Sequence, residues 1–110
     1  MSPHDKPLRW LHGSVRTPPL STAARIEAGY RLRKLQRGEP FGLPHSRPLP
    51  IIGPRCHELR IVDRDNTWRI VYRIDADAVV VLGVFPKKTR ALPDSVRQAC
   101  QQRLKDYDDA

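Results

Sequence analysis

Between Cys56 and Phe85 the chain passes from two-residue alternation to unbroken hydrophobicity. Read with period two, Cys56-His-Glu-Leu-Arg-Ile-Val62 sets Glu58 and Arg60 on one side and Leu59 and Ile61 on the other. Trp68-Arg-Ile-Val-Tyr-Arg-Ile74 repeats the pattern, with Arg69 and Arg73 opposite Trp68, Ile70, Tyr72 and Ile74. Ala78 to Phe85 is apolar throughout and ends in Pro86-Lys87-Lys88. The pattern predicts two amphipathic strands and one fully buried strand, in a sheet with one buried face and one face lined by cations. A charged turn, Asp63 to Thr67, joins the first two strands, and Asp75-Ala76-Asp77 makes the tighter connection to the third, its turn type left open.

Upstream, Pro7-Leu-Arg-Trp-Leu-His12 alternates well enough for a first strand, with Leu8 and Trp10 inward and Pro7 marking a strand start or an edge. Thr17-Pro-Pro-Leu-Ser21 breaks the chain and supplies an N-cap in Ser21 or Thr22. Ala24, Ala28, Leu32 and Leu35 then recur at helical spacing, and Gly38 stands where a left-handed residue ends a helix. Pro40, Pro44, Pro48, Pro50 and Pro54 exclude a helix or central strand over residues 39–55. A second helix is expected from Pro93 at its first position, with Asp94 near the positive end of its dipole. Its inward stripe is Val96, Cys100, Leu104 and Tyr107. The expected fold is α+β: a small, largely antiparallel sheet of about four strands packed by an N-terminal and a C-terminal helix. The 110 residues fit a single domain, 1–110, with residues 1–6 flexible.

Composition sharpens the picture where it concerns partners. A hydrophobic fraction of 39% permits a core, so global disorder is excluded. Lys+Arg 20 against Asp+Glu 12 leaves a formal charge of +8, which favours an acidic partner, nucleic acid first. The plainer alternative is a solvated basic surface. Cys56 and Cys100 have no metal-like or redox spacing and read as reduced, buried thiols of a cytoplasmic protein. The polar start, Met1 to Lys6, has no apolar stretch behind it, so neither a secretory signal nor a membrane span is expected.

Most familiar chemistries find no residues here. His4, His12, His45 and His57 are scattered without a second ligand at usable spacing, so no metal and no cofactor is expected. Neither cysteine has an evident base, no serine sits in a glycine-flanked elbow, and Gly42 and Gly53 belong to a proline-rich loop instead of a phosphate-cradling unit. The basic face remains. At least three of Arg60, Arg69, Arg73, Lys87 and Lys88 are expected to contact nucleic acid. Glu58 reads first as a carboxylate orienting Arg60 or Arg69; a general-base role needs a raised pKa, which cationic neighbours oppose. Tyr72, Tyr107, Trp10 and Trp68 read as packing residues before they read as base-stackers.

Several short motifs in fixed order carry a resemblance over about Pro7 to Tyr107. They are Trp10-Leu-His-Gly13, Leu35-Gln-Arg-Gly38, Pro44-His-Ser-Arg-Pro48, Glu58-Leu-Arg60, Trp68-Arg-Ile-Val-Tyr-Arg73 and Phe85-Pro-Lys-Lys88. Together they resemble the RelE/ParE toxin superfamily, and within it the phage-derived, HigB-like branch of type II toxin–antitoxin systems. The resemblance implies a RelE-like fold and a cognate antitoxin, often a helix-turn-helix protein, in an oligomeric complex. It also implies an endoribonuclease (an mRNA interferase) that cleaves mRNA on the ribosome without a metal and so inhibits translation. Carried over by position, Arg69 would bind phosphate, Lys88 would stabilise charge or protonate the leaving oxygen, and Lys87 would assist. Arg60, Arg73 and Glu58 would line the RNA-binding face. RelE-type members have lysines on the strand that here holds Cys56 and Glu58, the catalytic tyrosine of that branch has no secure match in Tyr107, and His57 shares its side with Leu59 and Ile61. The general base is therefore unassigned. A ParE-like toxin that poisons DNA gyrase and a non-catalytic RNA-binding module remain as alternatives.

Overall fold

Seven elements follow along the chain: β1 (Leu8–Trp10), α1 (Thr22–Gln36), β2 (Ser46–Pro48), β3 (Cys56–Val62), β4 (Thr67–Ile74), β5 (Val79–Pro86) and α2 (Asp94–Asp109). The computed structural model describes residues 5–12, 20–39, 45–64 and 66–110. The break at Thr17 to Pro19, the residues Pro40, Gly42 and Pro44, and the first four residues with His4 lie outside the described residues. The strands form one sheet in the order β1-β5-β4-β3-β2. β1 runs parallel to β5, and the other pairings are antiparallel. The α+β class with helices near both ends holds, with five strands in place of about four. The additional one is β2, which crosses the proline-rich stretch. Prolines exclude a central strand there, but at an edge the missing N–H costs no ladder bond.

α1 forms where helical spacing puts it. Ser21 is the N-cap, its hydroxyl oxygen accepting from the Ala24 N–H at 3.1 Å. The last turn closes with the Gly38 N–H on the Leu35 carbonyl and the Glu39 N–H on the Lys34 carbonyl, both at 3.0 Å. That pair of bonds needs a left-handed residue, and Gly38 supplies it at φ 83°. Ala24, Ala28, Leu32 and Leu35 pack with Leu59, Ile61, Trp68, Ile70, Tyr72, Val79 and Val81 on one face of the sheet. Leu8 and Trp10 of the edge strand β1 pack against the same cluster.

The other face overturns an expectation. Alternation predicts a face open and lined with cations; instead α2 lies on it. Cys100 and Leu104 bury against Cys56, Val71 and Leu82, with Leu49 and Ile52 from the loop before β3 completing the cluster and Val96 packed at its margin. The reason is that this side mixes cations with Cys56, Val71 and Leu82, enough apolar surface to seat a helix. α2 begins one residue later than expected, with Pro93 as its N-cap. β5 carries a bulge opposite Val71 and Tyr72, where the pairing jumps from Gly83 to Val81 and leaves Leu82 without a partner in β4. The Leu82 carbonyl accepts from Arg103 Nη1 of α2 at 2.7 Å.

Candidate functional site

Covering the second face buries Glu58, Arg69 and Arg73, at 1%, 1% and 8% exposure. A buried charge is tolerated only with partners, so the partners decide what each residue can do. Arg73, at the end of the sheet near the β4–β5 turn, is engaged by two carboxylates. Its Nε and Nη2 donate to the two carboxylate oxygens of Asp75 at 2.7 and 2.9 Å. Its Nη1 and Nη2 donate to those of Asp108, in the last turn of α2, at 2.9 and 2.7 Å. These bonds hold the Asp108 carboxyl below its usual range and the guanidinium well above its own. The Tyr107 ring lies 6.0 Å from the same guanidinium. Arg73 therefore clamps α2 to the sheet, with four of its five N–H donors committed to the two carboxylates.

The opposite end of that face is organised around Glu58. Adjacent positions of antiparallel strands bring its partners together: Arg47 stands opposite Glu58 on β2, and Arg69 opposite Arg60 on β4. Glu58 Oε2 is 3.4 Å from Arg69 Nε, and Oε1 is 3.5 Å from Lys87 Nζ and 3.6 Å from Arg47 Nε. One carboxylate thus faces three cations. The segment after β5 closes over them, with Arg69 Nη2 donating to the Thr89 carbonyl at 2.8 Å and Arg47 Nη2 to the Arg90 carbonyl at 3.2 Å. These contacts are looser than those of Arg73, and they do not saturate the donors. Among the described residues, Arg69 Nε and Nη1 are buried without a hydrogen-bond partner, as are Arg47 Nε and Glu58 Oε2. Each such arginine donor costs about 1–3 kcal/mol, a cost that a phosphate oxygen reaching it would relieve, whereas Glu58 Oε2 is itself an acceptor and would gain nothing from one.

The remaining expected residues fall into place around this centre. Arg60 is exposed on the same side of β3 as Glu58, its backbone N–H bonded to the His45 carbonyl at 2.7 Å. Glu58 pairs with Arg69 and not with Arg60. Lys87 is aimed at Glu58, and its N–H bonds the Thr67 carbonyl at 2.7 Å, while Lys88 is exposed. His57 stacks on Tyr72 at 5.4 Å, on the side of the sheet packed by α1, with burial lowering its pKa. It is thus separated from Arg69 by the sheet. Arg47 and the closing carbonyls of Thr89 and Arg90 escaped the period-two reading, because a three-residue strand shows no alternation. The usable signal was Pro48 after an isolated Arg, a combination suited to an edge strand.

Among the described residues no group of three or more His, Cys, Asp or Glu could hold a metal ion, and no helix is long and apolar enough to cross a membrane. No curated protein and no solved structure gives a significant match to the chain. The family model described as "Phage derived protein Gp49-like (DUF891)" matches residues 19–105, which span α1 through nearly all of α2 and include every residue of the Glu58 cluster. That origin is consistent with the toxin of a toxin–antitoxin module, paired with an antitoxin. The chain therefore belongs to the phage-derived Gp49-like family, a family associated with RelE-like toxins.

Proposed function

We propose that this protein is the toxin of a type II toxin–antitoxin module, of the HigB-like branch, and that it cleaves mRNA on the ribosome without a metal. The observation that carries the reading is Arg69: a buried guanidinium whose Nη1 has no partner among the described residues and whose Nε has only the 3.4 Å contact with Glu58, next to Lys87 and Arg47. In such a reaction the ribose 2′-hydroxyl attacks the adjacent phosphorus in line, forming a cyclic phosphate as the bond to the 5′-oxygen breaks. Fixed cations stabilise the charge that develops on the phosphoryl oxygens. Arg69 and Arg47 hold the phosphate, Lys87 adds charge stabilisation, and Lys88, exposed beyond the strand end, is available to the leaving oxygen. Arg60 extends the basic surface along the RNA. The working partners are mRNA, the ribosome and a helix-turn-helix antitoxin, in the cytoplasm.

One observation favours a second reading. Glu58, the carboxylate of the cluster, is committed to three cations, and His57 lies on the other side of the sheet, so among the described residues no free base adjoins Arg69. A ParE-like toxin that binds gyrase needs none. Inducible expression in bacteria separates the two, with growth followed and transcript ends mapped for the native protein and for Lys87→Ala/Lys88→Ala. These two lysines are partly or fully exposed, so the variant keeps its core. Growth arrest with mRNA cuts that vanish in the variant is the expected result. Arrest with DNA damage and intact transcripts would move the assignment to the gyrase target, and no arrest would remove the toxin reading altogether.

A further inference from the structure

On the far side of the sheet from Glu58, α1 presents apolar side chains outward as well as inward. Ile26 and Tyr30 are 68% and 59% exposed, one turn apart on the solvent side. Between them lies Gly29, in the middle of a 15-residue helix. Among the described residues a Cβ built there meets nothing within 4 Å, so alanine would fit, and glycine weakens a helix interior by comparison. The described residues give no reason for a glycine at that position. Close approach of another backbone does. The charge of α1 is one-sided, four basic residues against a single acid, Glu27; Arg31 is bonded to Glu27 at 3.0 Å and Arg33 to Asp5 at 2.6 Å. Lys34 Nζ lies 4.9 Å from the Tyr30 ring centre, and Arg25 and Arg37 are exposed.

We infer that the outer face of α1 docks an acidic amphipathic helix of a partner protein. Its apolar side chains pack on Ile26 and Tyr30, its backbone crosses close over Gly29, and its carboxylates meet Arg25, Lys34 and Arg37. A second copy of this chain does not fit, because two helices of the same positive charge would face each other. The inference does not depend on the chemistry assigned to Arg69, which lies across the sheet.

The test uses the full-length protein and a labelled synthetic peptide of about 20 residues, long enough to form a helix. The peptide carries leucines at helical spacing and glutamates elsewhere; a control carries lysines in place of the glutamates. Fluorescence anisotropy should show binding of the glutamate peptide only, weakened about tenfold by Ile26→Ser. Gly29→Ala should raise the melting temperature of the free protein and yet weaken the peptide complex, two effects of opposite sign that a purely structural glycine would not produce. Unchanged affinity in both variants, no binding at all, or amide shifts centred on Arg60 and Lys88 instead of α1 would overturn the inference. So would sedimentation showing a dimer that Ile26→Ser dissolves, since the occupant would then be a second copy.

Discussion

Replacing Arg69 by Met should be among the most damaging single changes in the sheet, and the structure says by how much. Arg69 and Glu58 are each 1% exposed and lie 3.4 Å apart. Removing Arg69 takes away the one partner as buried as Glu58 and leaves that carboxylate only the more exposed Lys87 and Arg47, which costs about 3–5 kcal/mol. Arg47 is different, with a side chain 39% exposed, and its pair with Glu58 is screened by water and worth about 1 kcal/mol or less. A domain of this size has roughly 5–15 kcal/mol in total and loses about 4 °C of melting temperature per kcal/mol. Arg69→Met should therefore lower the melting temperature by about 12 °C or more, and Arg47→Met by no more than about 4 °C. The double variant Glu58→Leu/Arg69→Met leaves no unpaired buried charge and should recover most of the loss. Urea midpoints and thermal melts of the native chain, Arg47→Met, Arg69→Met, Glu58→Leu and the double variant form the assay. If the Arg69→Met and Glu58→Leu costs simply add in the double variant, the pair does not organise this end of the sheet and the reasoning is wrong.

Two further outcomes follow from other contacts. The Tyr72 and Ser46 hydroxyls meet at 2.7 Å inside the core and tie β2, which carries Arg47, to β4. Tyr72→Phe leaves the Ser46 hydroxyl buried without a partner and should cost about 1–3 kcal/mol, whereas adding Ser46→Ala should restore part of it. Equal stability of single and double variants would show that the bond contributes nothing. Asp63 accepts hydrogen bonds from the Ser21 hydroxyl and, at 2.8 Å, from the Ser21 and Arg64 N–H groups, which hold its pKa at about 2 instead of 3.8. Its folded pKa lies below its unfolded value, so its contribution is complete above about 3.8 and is lost as pH falls through about 2. Asp108, lowered by Arg73, acts in the same direction. The urea midpoint of the native chain should therefore fall over that window, and Asp63→Asn should be less stable at neutral pH and fall less steeply. Parallel curves for the two proteins would refute the assignment.

The elements were legible because each rests on a local pattern: period two for β3 and β4, the Ala24–Leu35 stripe and Gly38 for α1, the Val96–Cys100–Leu104 stripe for α2. The placement of α2 was not legible in the same way. Val71 sits between Arg69 and Arg73, and its apolar side chain gains meaning only beside Cys56 and Leu82 from other strands. The site was half visible for the same reason. Arg60, Arg69 and Glu58 share a side by period alone, but whether an arginine is saturated or has spare donors depends on residues distant in sequence. Asp108 satisfies Arg73 from 35 residues away, whereas among the described residues Arg69 meets one carbonyl, of Thr89, at 2.8 Å and the Glu58 carboxylate only at 3.4 Å. In β5 the apolar run shows no alternation, so its bulge left only Gly83 as a trace.

Counting along β5 in twos, the unpaired Leu82 exchanges the sides on which all later residues point. Were the same residues paired regularly, without the bulge, Lys88 would share the face of Glu58 and Arg69, and Lys87 would turn toward α1; with it the assignment is reversed. A single bulge thus selects between two neighbouring lysines. Because both positions hold the same side chain, the same sequence paired without the bulge would still deliver a cation to Glu58, while exchanging the aromatic Phe85 for Val84 beneath Arg103. The lysine doublet makes the charge of this site tolerant of a one-residue slip that its hydrophobic packing would not survive unchanged.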